Sequence, residues 1–175
     1  MSQDNSNTGL HVSQDHHFNY ILNVIDDALA LNVIEEIYYR VIKLPYYYGE
    51  RDSKDLPPTG LVSKLDGDDW IVKTIDQKVR EYTGNLQLYR SYVNIFSPGE
   101  IPYYHTDNIR GVTVLYYVNL NYHINQGGET SFLINDNITG ILPYPGRITI
   151  FSANVLHRAN SYRDHHRFTI ALKYE

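Results

Sequence analysis

The stretch from residue 86 to residue 96, Leu-Gln-Leu-Tyr-Arg-Ser-Tyr-Val-Asn-Ile-Phe, decides the fold class of this chain. It is rich in aromatic and β-branched residues, and similar short segments follow it to the end of the sequence. Turn-forming residues separate these segments, for example Ser97-Pro98-Gly99 and Pro145-Gly146. The predicted strands are Leu86–Phe96, Tyr103–Thr106, Val112–Leu120, Thr130–Ile134, Arg147–Phe151, Val155–Arg158 and Arg167–Tyr174. Many short strands at this spacing indicate a β-sandwich or jelly roll.

The first half of the chain carries helical patterns. The predicted elements there are a strand at Phe18–Asp26, a helix over Leu31–Lys43, a surface loop over Tyr46–Leu65 and a helix from Asp68 or Asp69 to Gly84. Residues 1–15 are polar, and we expect them to form a flexible arm that precedes a single domain of residues 16–175. The expected fold is therefore mainly β, with the helices packed on one sheet.

Composition excludes several classes of protein. The 175 residues contain no cysteine, so thiolate ligands, thiol nucleophiles and disulfides are excluded. No run of 18 apolar residues and no secretory signal pattern occurs, and we expect a cytoplasmic protein with no membrane partner. A net charge of −5 argues against a general nucleic-acid binder, which usually presents a basic face.

Three residues form a candidate metal site. His105 and Asp107 stand two positions apart in an extended segment, which directs both side chains to one face. His157 follows in a later predicted strand. Two imidazoles and one carboxylate are the facial set that holds iron(II) and leaves positions open. The other histidines, at positions 11, 16, 17, 123, 165 and 166, lie in polar or turn segments and are expected to be solvated surface residues.

The last predicted strand carries a candidate anion site. Arg167 interrupts an otherwise apolar alternation, and Thr169 projects from the same side of the strand. An arginine on a buried strand face can bind a carboxylate through two parallel hydrogen bonds. Together with the metal set, this pair predicts a pocket for a dicarboxylate.

Six segments resemble one enzyme family. They are His-Thr-Asp-Asn at 105–108, Arg-Gly-Val-Thr-Val-Leu-Tyr-Tyr-Val-Asn at 110–119, Gly-Gly-Glu-Thr-Ser-Phe at 127–132, Pro-Gly-Arg-Ile-Thr-Ile-Phe at 145–151, His157, and Arg-Phe-Thr-Ile-Ala-Leu-Lys-Tyr at 167–174. In this order and spacing they resemble the catalytic core of the iron(II)- and 2-oxoglutarate-dependent dioxygenases, with the prolyl hydroxylase branch nearest. The resemblance covers about residues 86–174, half of the chain.

The resemblance implies a double-stranded β-helix, which is a form of jelly roll, and an oxygenase that uses iron(II), 2-oxoglutarate and dioxygen, with ascorbate as a supporting reductant. His105, Asp107 and His157 match the iron ligands. Arg167 matches the residue that pairs with the distal carboxylate of 2-oxoglutarate. Tyr117 matches a tyrosine that bonds the same carboxylate, and Thr169 is in place to add a hydroxyl.

One position departs from the family. Some relatives carry a ligand-binding tyrosine in the strand before the His-x-Asp pair, where this chain has Asn94 and Phe96. Phe96 cannot donate a hydrogen bond, which leaves Asn94 or Tyr92 as candidate substitutes.

The substrate is less well defined by these residues than the reaction. The nearest branch implies hydroxylation of a prolyl residue in a protein or peptide, with loops at 46–65, 108–111 and 121–126 as candidate substrate contacts. The alternatives are a nucleic-acid oxidative demethylase of the same superfamily, a non-redox cupin-like metal protein, and a binding module that kept the jelly roll without catalysis.

Overall fold

The structure, a computed structural model, describes residues 21–49, 51 and 55–175. Its strands are β1 (Leu22–Ile25), β2 (Tyr47–Tyr48), β3 (Leu61–Lys64), β4 (Leu88–Phe96), β5 (Val112–Tyr117), β6 (Thr130–Ile134), β7 (Asn137–Ile141), β8 (Ile148–Ser152), β9 (Leu156–Ala159) and β10 (Arg167–Tyr174). The helices are α1 (Leu31–Val41) and α2 (Trp70–Thr83), with a short 3₁₀ turn at Ile124–Gln126. No helix among the described residues is both long and apolar enough to cross a membrane.

Two antiparallel sheets make up the body of the domain. The larger sheet has seven strands in the order β1-β8-β5-β10-β4-β3-β2, and the smaller sheet has the order β7-β6-β9. Strands that are distant in the chain are neighbours in the large sheet, such as β1 with β8 and β10 with both β4 and β5, and two antiparallel sheets connected in this way form a jelly roll. The expected mainly β fold with flanking helices is confirmed.

The two faces of the large sheet have different partners because side chains alternate along each strand. On β10, Ile170, Leu172 and Tyr174 are buried in the cluster that includes the apolar faces of α1 and α2. The alternate residues of β10 point to the opposite face, towards the smaller sheet. Arg167 and Thr169 are both on this second face, and both are almost fully buried.

Helix α2 covers the first face in the way that its sequence predicts. The side chain of Asp69 accepts a hydrogen bond from the Ile71 amide at 2.7 Å, which satisfies one of the free donors at the start of the helix. Gly84 follows the last helical residue with φ of +55°, a conformation that glycine adopts without a Cβ clash. Ile75 and Val79 are fully buried against the sheet.

Several sequence-based boundaries differ from the structure. The expected strand at Tyr103–Thr106 is wrong: only His105 makes a bridge there, to His157. The loop predicted over Tyr46–Leu65 contains β2 and β3, which extend the large sheet beyond β4. Helix α1 ends at Val41, two residues before the predicted end. The arm at 1–15 and the first residues of the strand predicted at Phe18–Asp26 lie outside the described residues.

Strand β7 is an additional strand that the sequence analysis missed. It forms a hairpin with β6 through Asn135 and Asp136, whose φ angles are +49° and +58°. Positive φ at both central residues is what a tight two-residue hairpin requires, and Asn and Asp tolerate it better than other side chains.

Candidate metal centre

The candidate metal centre consists of His105, Asp107 and His157. Nε2 of His105 lies 3.7 Å from Asp107 Oδ1, and Nε2 of His157 lies 3.8 Å from Asp107 Oδ2. One potential ligand atom from each residue lies within 4.8 Å of the other two. Ligand atoms at right angles on a metal about 2.1 Å away are about 3 Å apart, so the spacing of these atoms is within about 2 Å of what a shared metal requires.

Backbone pairing assembles this group from distant parts of the chain. The His105 amide donates to the His157 carbonyl and the His157 amide donates to the His105 carbonyl, both at 2.9 Å. The Asp107 amide donates to the carbonyl of Ala153 at 2.8 Å. The loop after β4 is therefore held against β9 and the turn before it, although their residues are about fifty positions apart.

The orientation of both imidazole rings suits metal binding. Nδ1 of His105 lies 3.1 Å from the Tyr103 carbonyl, and Nδ1 of His157 lies 2.9 Å from the Val155 carbonyl. A nitrogen that faces a carbonyl oxygen must carry the proton, which leaves Nε2 of each ring as the basic atom on the side of Asp107. Carbonyl partners of this kind fix the tautomer and orientation of histidine ligands in metal sites.

The charge states also suit a metal. Burial lowers the pKa of His157 to about 4, so this imidazole is neutral near neutral pH, as a ligand must be. Burial works against the charge on Asp107, but its electrostatic interactions with His157, Lys173 and His105 outweigh burial and lower the pKa of Asp107 to about 2. Asp107 is therefore an ionised carboxylate held among potential ligands.

Two further side chains hold Asp107, and neither was singled out from the sequence. Nζ of Lys173 donates to Oδ1 at 2.7 Å, and the Thr113 hydroxyl donates to Oδ2 at 2.5 Å. Burial works against the charge on Lys173, but its contacts with Tyr92 and Asp107 raise the pKa of Lys173 above its ordinary value. Lys173 is on the same face of β10 as Arg167, so the period of two could have pointed to it.

The candidate anion site surrounds Arg167, which is only 1% exposed. Its guanidinium donates to the Gly128 carbonyl at 2.8 Å, to the Thr130 hydroxyl at 2.9 Å and, more weakly, to the Thr169 hydroxyl at 3.4 Å. All three acceptors are neutral, and no carboxylate among the described residues forms an ion pair with this arginine. The Glu129 carboxylate interacts with the guanidinium electrostatically but is not in salt-bridge contact with it. A buried charge without a counterion in contact is costly, which predicts that an anion completes the site.

The hydroxyl of Thr130 belongs to the same site and was missed by the sequence analysis. It accepts hydrogen bonds from Arg167 and, at 2.8 Å, from the Tyr117 hydroxyl. With both lone pairs used, its own proton remains for an acceptor in the cavity that Thr130 lines. Tyr117 is not one of the described residues that line this cavity. Its hydroxyl therefore reaches the site through its hydrogen bond to Thr130.

One cavity of about 140 Å³ joins the metal centre and the anion site. Its lining includes His105, Asp107 and His157 together with Arg167, Thr130 and Thr169. Leu115, Ala159 and Ala171 contribute apolar wall. Tyr92, Asn94 and Phe96, the residues of the family departure, also line it. A small molecule with a metal-binding group at one end and a carboxylate at the other fits this distribution of partners.

The other histidines that the structure describes, His123, His165 and His166, do not join this centre. His123 accepts a hydrogen bond from the Asn125 amide at the start of the 3₁₀ turn. His165 stacks on Tyr162, with ring centroids 4.4 Å apart, and pairs with Asp164. His11, His16 and His17 lie outside the described residues.

Comparison with known proteins gives structural similarity only. No family model and no curated protein matches this sequence. Among solved structures, a prolyl hydroxylase from Trichoplax adhaerens in complex with a peptide fragment of the hypoxia inducible factor oxygen degradation domain has a TM-score of 0.72. It is 19% identical, and the match covers 87% of this chain and 82% of that one.

Two further structures are similar in the same way. A prolyl-4-hydroxylase from Pseudomonas putida has a TM-score of 0.70 at 14% identity, with 88% of this chain and 92% of that chain covered. HygX from Streptomyces hygroscopicus, with nickel, 2-oxoglutarate and hygromycin B bound, has a TM-score of 0.67 at 11% identity, with 87% and 82% covered. The chain therefore has the jelly-roll fold found in iron(II)- and 2-oxoglutarate-dependent oxygenases, including prolyl hydroxylases.

Proposed function

We propose that this protein is an iron(II)- and 2-oxoglutarate-dependent oxygenase that hydroxylates a C–H bond of its substrate. In the overall reaction one oxygen atom of dioxygen enters the substrate as a hydroxyl group and the other enters succinate, while 2-oxoglutarate loses carbon dioxide. The observation that carries the proposal is the buried Arg167, which has no carboxylate in salt-bridge contact among the described residues and lies in the same cavity as a two-histidine, one-carboxylate group.

Each residue has a defined role in this proposal. His105, Asp107 and His157 hold the metal through two neutral imidazoles and one carboxylate. Arg167 binds the distal carboxylate of 2-oxoglutarate, with the hydroxyls of Thr130 and Thr169 beside it. Iron(II) held in this way keeps positions open for a bidentate co-substrate and dioxygen, and supplies the oxidising chemistry.

Two features of the cavity favour an oxygenase with a dicarboxylate co-substrate over a catalytic zinc site. A catalytic zinc site also has three protein ligands, but it needs only a water molecule in its open position and no carboxylate clamp. Here Arg167 makes a buried site for an acid next to the metal ligands, as a co-substrate that carries its own carboxylate requires. Leu115, Ala159 and Ala171 add an apolar wall, against which the carbon chain of such a co-substrate can pack.

For the primary substrate, we propose a prolyl residue within a peptide or protein. Two of the similar structures are called prolyl hydroxylases, and one of these contains a peptide. In the present chain Pro102 lines the cavity, and its neighbours Ile101 and Tyr103 are exposed, as is Ile109 two residues after Asp107. Exposed apolar residues beside a cavity favour a partner with apolar side chains.

The proposed reaction is tested by succinate formation from 2-oxoglutarate in air, with iron(II) and ascorbate. We expect slow succinate formation without a primary substrate, lost in His157→Ala and retained in His123→Ala, which changes a histidine outside the cavity lining. Succinate formation at equal rates in the wild type and His157→Ala would show that the reaction does not depend on this centre.

The substrate proposal needs a separate measurement. Proline-containing peptides and the same peptides with alanine at each proline are incubated with the complete system and analysed by mass spectrometry. A gain of one oxygen atom that depends on proline supports the proposal. Turnover of 2-oxoglutarate without oxygen incorporation into any proline peptide would still support the proposed reaction class, but it would contradict the proposed prolyl substrate.

A further inference from the structure

Lys173 is a buried cation in direct contact with a proposed metal ligand. It is on β10, on the same inward face as Arg167 and Thr169, and only 7% of its surface is exposed. Its ammonium nitrogen is 2.7 Å from Oδ1 of Asp107 and 5.3 Å from the centre of the Tyr92 ring. The carboxylate and the face of the ring both attract the ammonium group, so they hold it in one place.

The two oxygens of Asp107 have different partners. Oδ1 accepts from the Lys173 ammonium, whereas Oδ2 accepts from the neutral hydroxyl of Thr113. Each carboxylate oxygen has two lone pairs, so either oxygen can accept a hydrogen bond and still bind a metal. A divalent metal and an ammonium group on the same oxygen repel each other, whereas a metal and a hydroxyl do not. Oδ2 is therefore the better oxygen for the metal.

We propose that Lys173 is a positioning residue that occupies Oδ1 of Asp107, so that the carboxylate binds the metal through Oδ2 alone. This inference rests on the proposed function. A carboxylate that binds through both oxygens takes two positions on the metal. A chelating co-substrate and dioxygen together need three positions, which is the number that three single-atom ligands leave on a six-coordinate metal.

The coordination mode is tested directly with nickel(II), which imidazole nitrogen accepts readily. Crystal structures of the nickel-loaded wild type, Lys173→Met and Lys173→Arg are compared. We expect one Asp107 oxygen, Oδ2, at bonding distance in the wild type and in Lys173→Arg, which keeps a cation. In Lys173→Met, which keeps most of the length of the side chain without the charge, we expect both oxygens on the metal.

The binding of 2-oxoglutarate gives a second readout. Calorimetric titration into the nickel-loaded protein should show about ten- to a hundredfold weaker binding for Lys173→Met, with one metal still bound per chain. Lys173→Arg should recover most of the affinity. Lys64→Met removes an exposed lysine at the end of β3, outside the cavity lining, and should bind 2-oxoglutarate like the wild type.

Two results would overturn the inference. One is a nickel-loaded wild type in which Asp107 binds through both oxygens, or through Oδ1 with Lys173 displaced; this result needs no variant to fold. The other is Lys173→Met with a single bound oxygen and unchanged affinity for 2-oxoglutarate. If the proposed function is wrong and the role of Lys173 is right, the result is different. Asp107 then binds nickel through Oδ2 alone, but 2-oxoglutarate does not bind the wild type.

Discussion

The replacement of Arg167 by methionine separates the role of this side chain in folding from its role in binding. Arg167 is buried and bonds to the Gly128 carbonyl and the Thr130 hydroxyl. Methionine removes the buried charge, which favours the folded protein, but it takes the side-chain donor from the Gly128 carbonyl, which costs about 1–3 kcal/mol, while Thr130 still accepts from Tyr117. Because the effects oppose each other, we expect the free energy of unfolding without ligand to change by less than about 2 kcal/mol.

The effect on binding should be larger. A hydrogen bond to a charged group contributes about 1.5–3 kcal/mol, so loss of one such bond raises the Kd for 2-oxoglutarate roughly 10- to 150-fold. At a concentration about 100 times the wild-type Kd, the ligand stabilises the wild type by about 2.7 kcal/mol. After a hundredfold rise in Kd, the same concentration stabilises the variant by only about 0.4 kcal/mol.

These energies convert to a measurable difference in thermal unfolding. For a chain of this size, about 2.7 kcal/mol corresponds to a Tm rise of about 5–11 °C, and about 0.4 kcal/mol to about 1–2 °C. The assay is thermal unfolding of the nickel-loaded protein with and without 2-oxoglutarate. The matched control is Arg158→Met, which changes an arginine on β9 that packs over the Tyr104 ring outside the cavity lining. An equal ligand-induced rise in Arg167→Met and the wild type would refute the reasoning.

Three further substitutions test other parts of the site. Asp107→Ala should nearly abolish nickel binding measured by calorimetry, and it should lower the free energy of unfolding by about 3–5 kcal/mol because Lys173 loses its buried partner; tight nickel binding by this variant would contradict the ligand assignment. Thr130→Val should lower the free energy of unfolding in urea by about 1–3 kcal/mol, because two buried donors lose their shared acceptor; an unchanged value would contradict the hydrogen-bond network. Gly128→Ala should cost more than about 2 kcal/mol, since a Cβ there would lie 2.2 Å from the Tyr162 ring, whereas Gly99→Ala, which has positive φ but open space, should cost less; equal costs would show that packing against Tyr162 is not the cause.

The elements that the sequence predicted best have a regular pattern or clear end signals. Strands β6 and β10 have the predicted bounds, Thr130–Ile134 and Arg167–Tyr174, because each alternates between two faces with different partners. The second helix also begins and ends where the sequence predicts, since Asp69 is one of the two aspartates proposed as its cap and Gly84 follows its last residue.

The elements that were missed lack that pattern. Strands β2 and β3 have two and four residues and lie in a stretch that contains Gly49, Pro57 and Pro58, so composition favoured a loop. Strand β7 is an edge strand with mostly exposed residues, and therefore carries little apolar signal. The expected strand around His105 makes only one bridge of backbone pairing, so it does not form a strand.

The residues of the candidate site could be predicted from the sequence where they form recognisable motifs. The His-x-Asp pair, the later histidine and Arg167 are recognisable by type and order, and the structure brings all four to one cavity. The period of two places Lys173 on the inward face of β10, but its contact with Asp107 joins residues 66 positions apart, so no local pattern predicts this partner. The roles predicted for Tyr117 and Thr169 stay predictions, with Tyr117 placed behind Thr130.

The central claim is that one dicarboxylate joins the metal centre to Arg167 within a single cavity. A crystal structure of the protein with nickel(II) and 2-oxoglutarate tests this claim most directly. We predict nickel on His105, Asp107 and His157, with one end of 2-oxoglutarate on the metal and the distal carboxylate on Arg167. A metal bound by other residues, or 2-oxoglutarate bound away from Arg167, would contradict it.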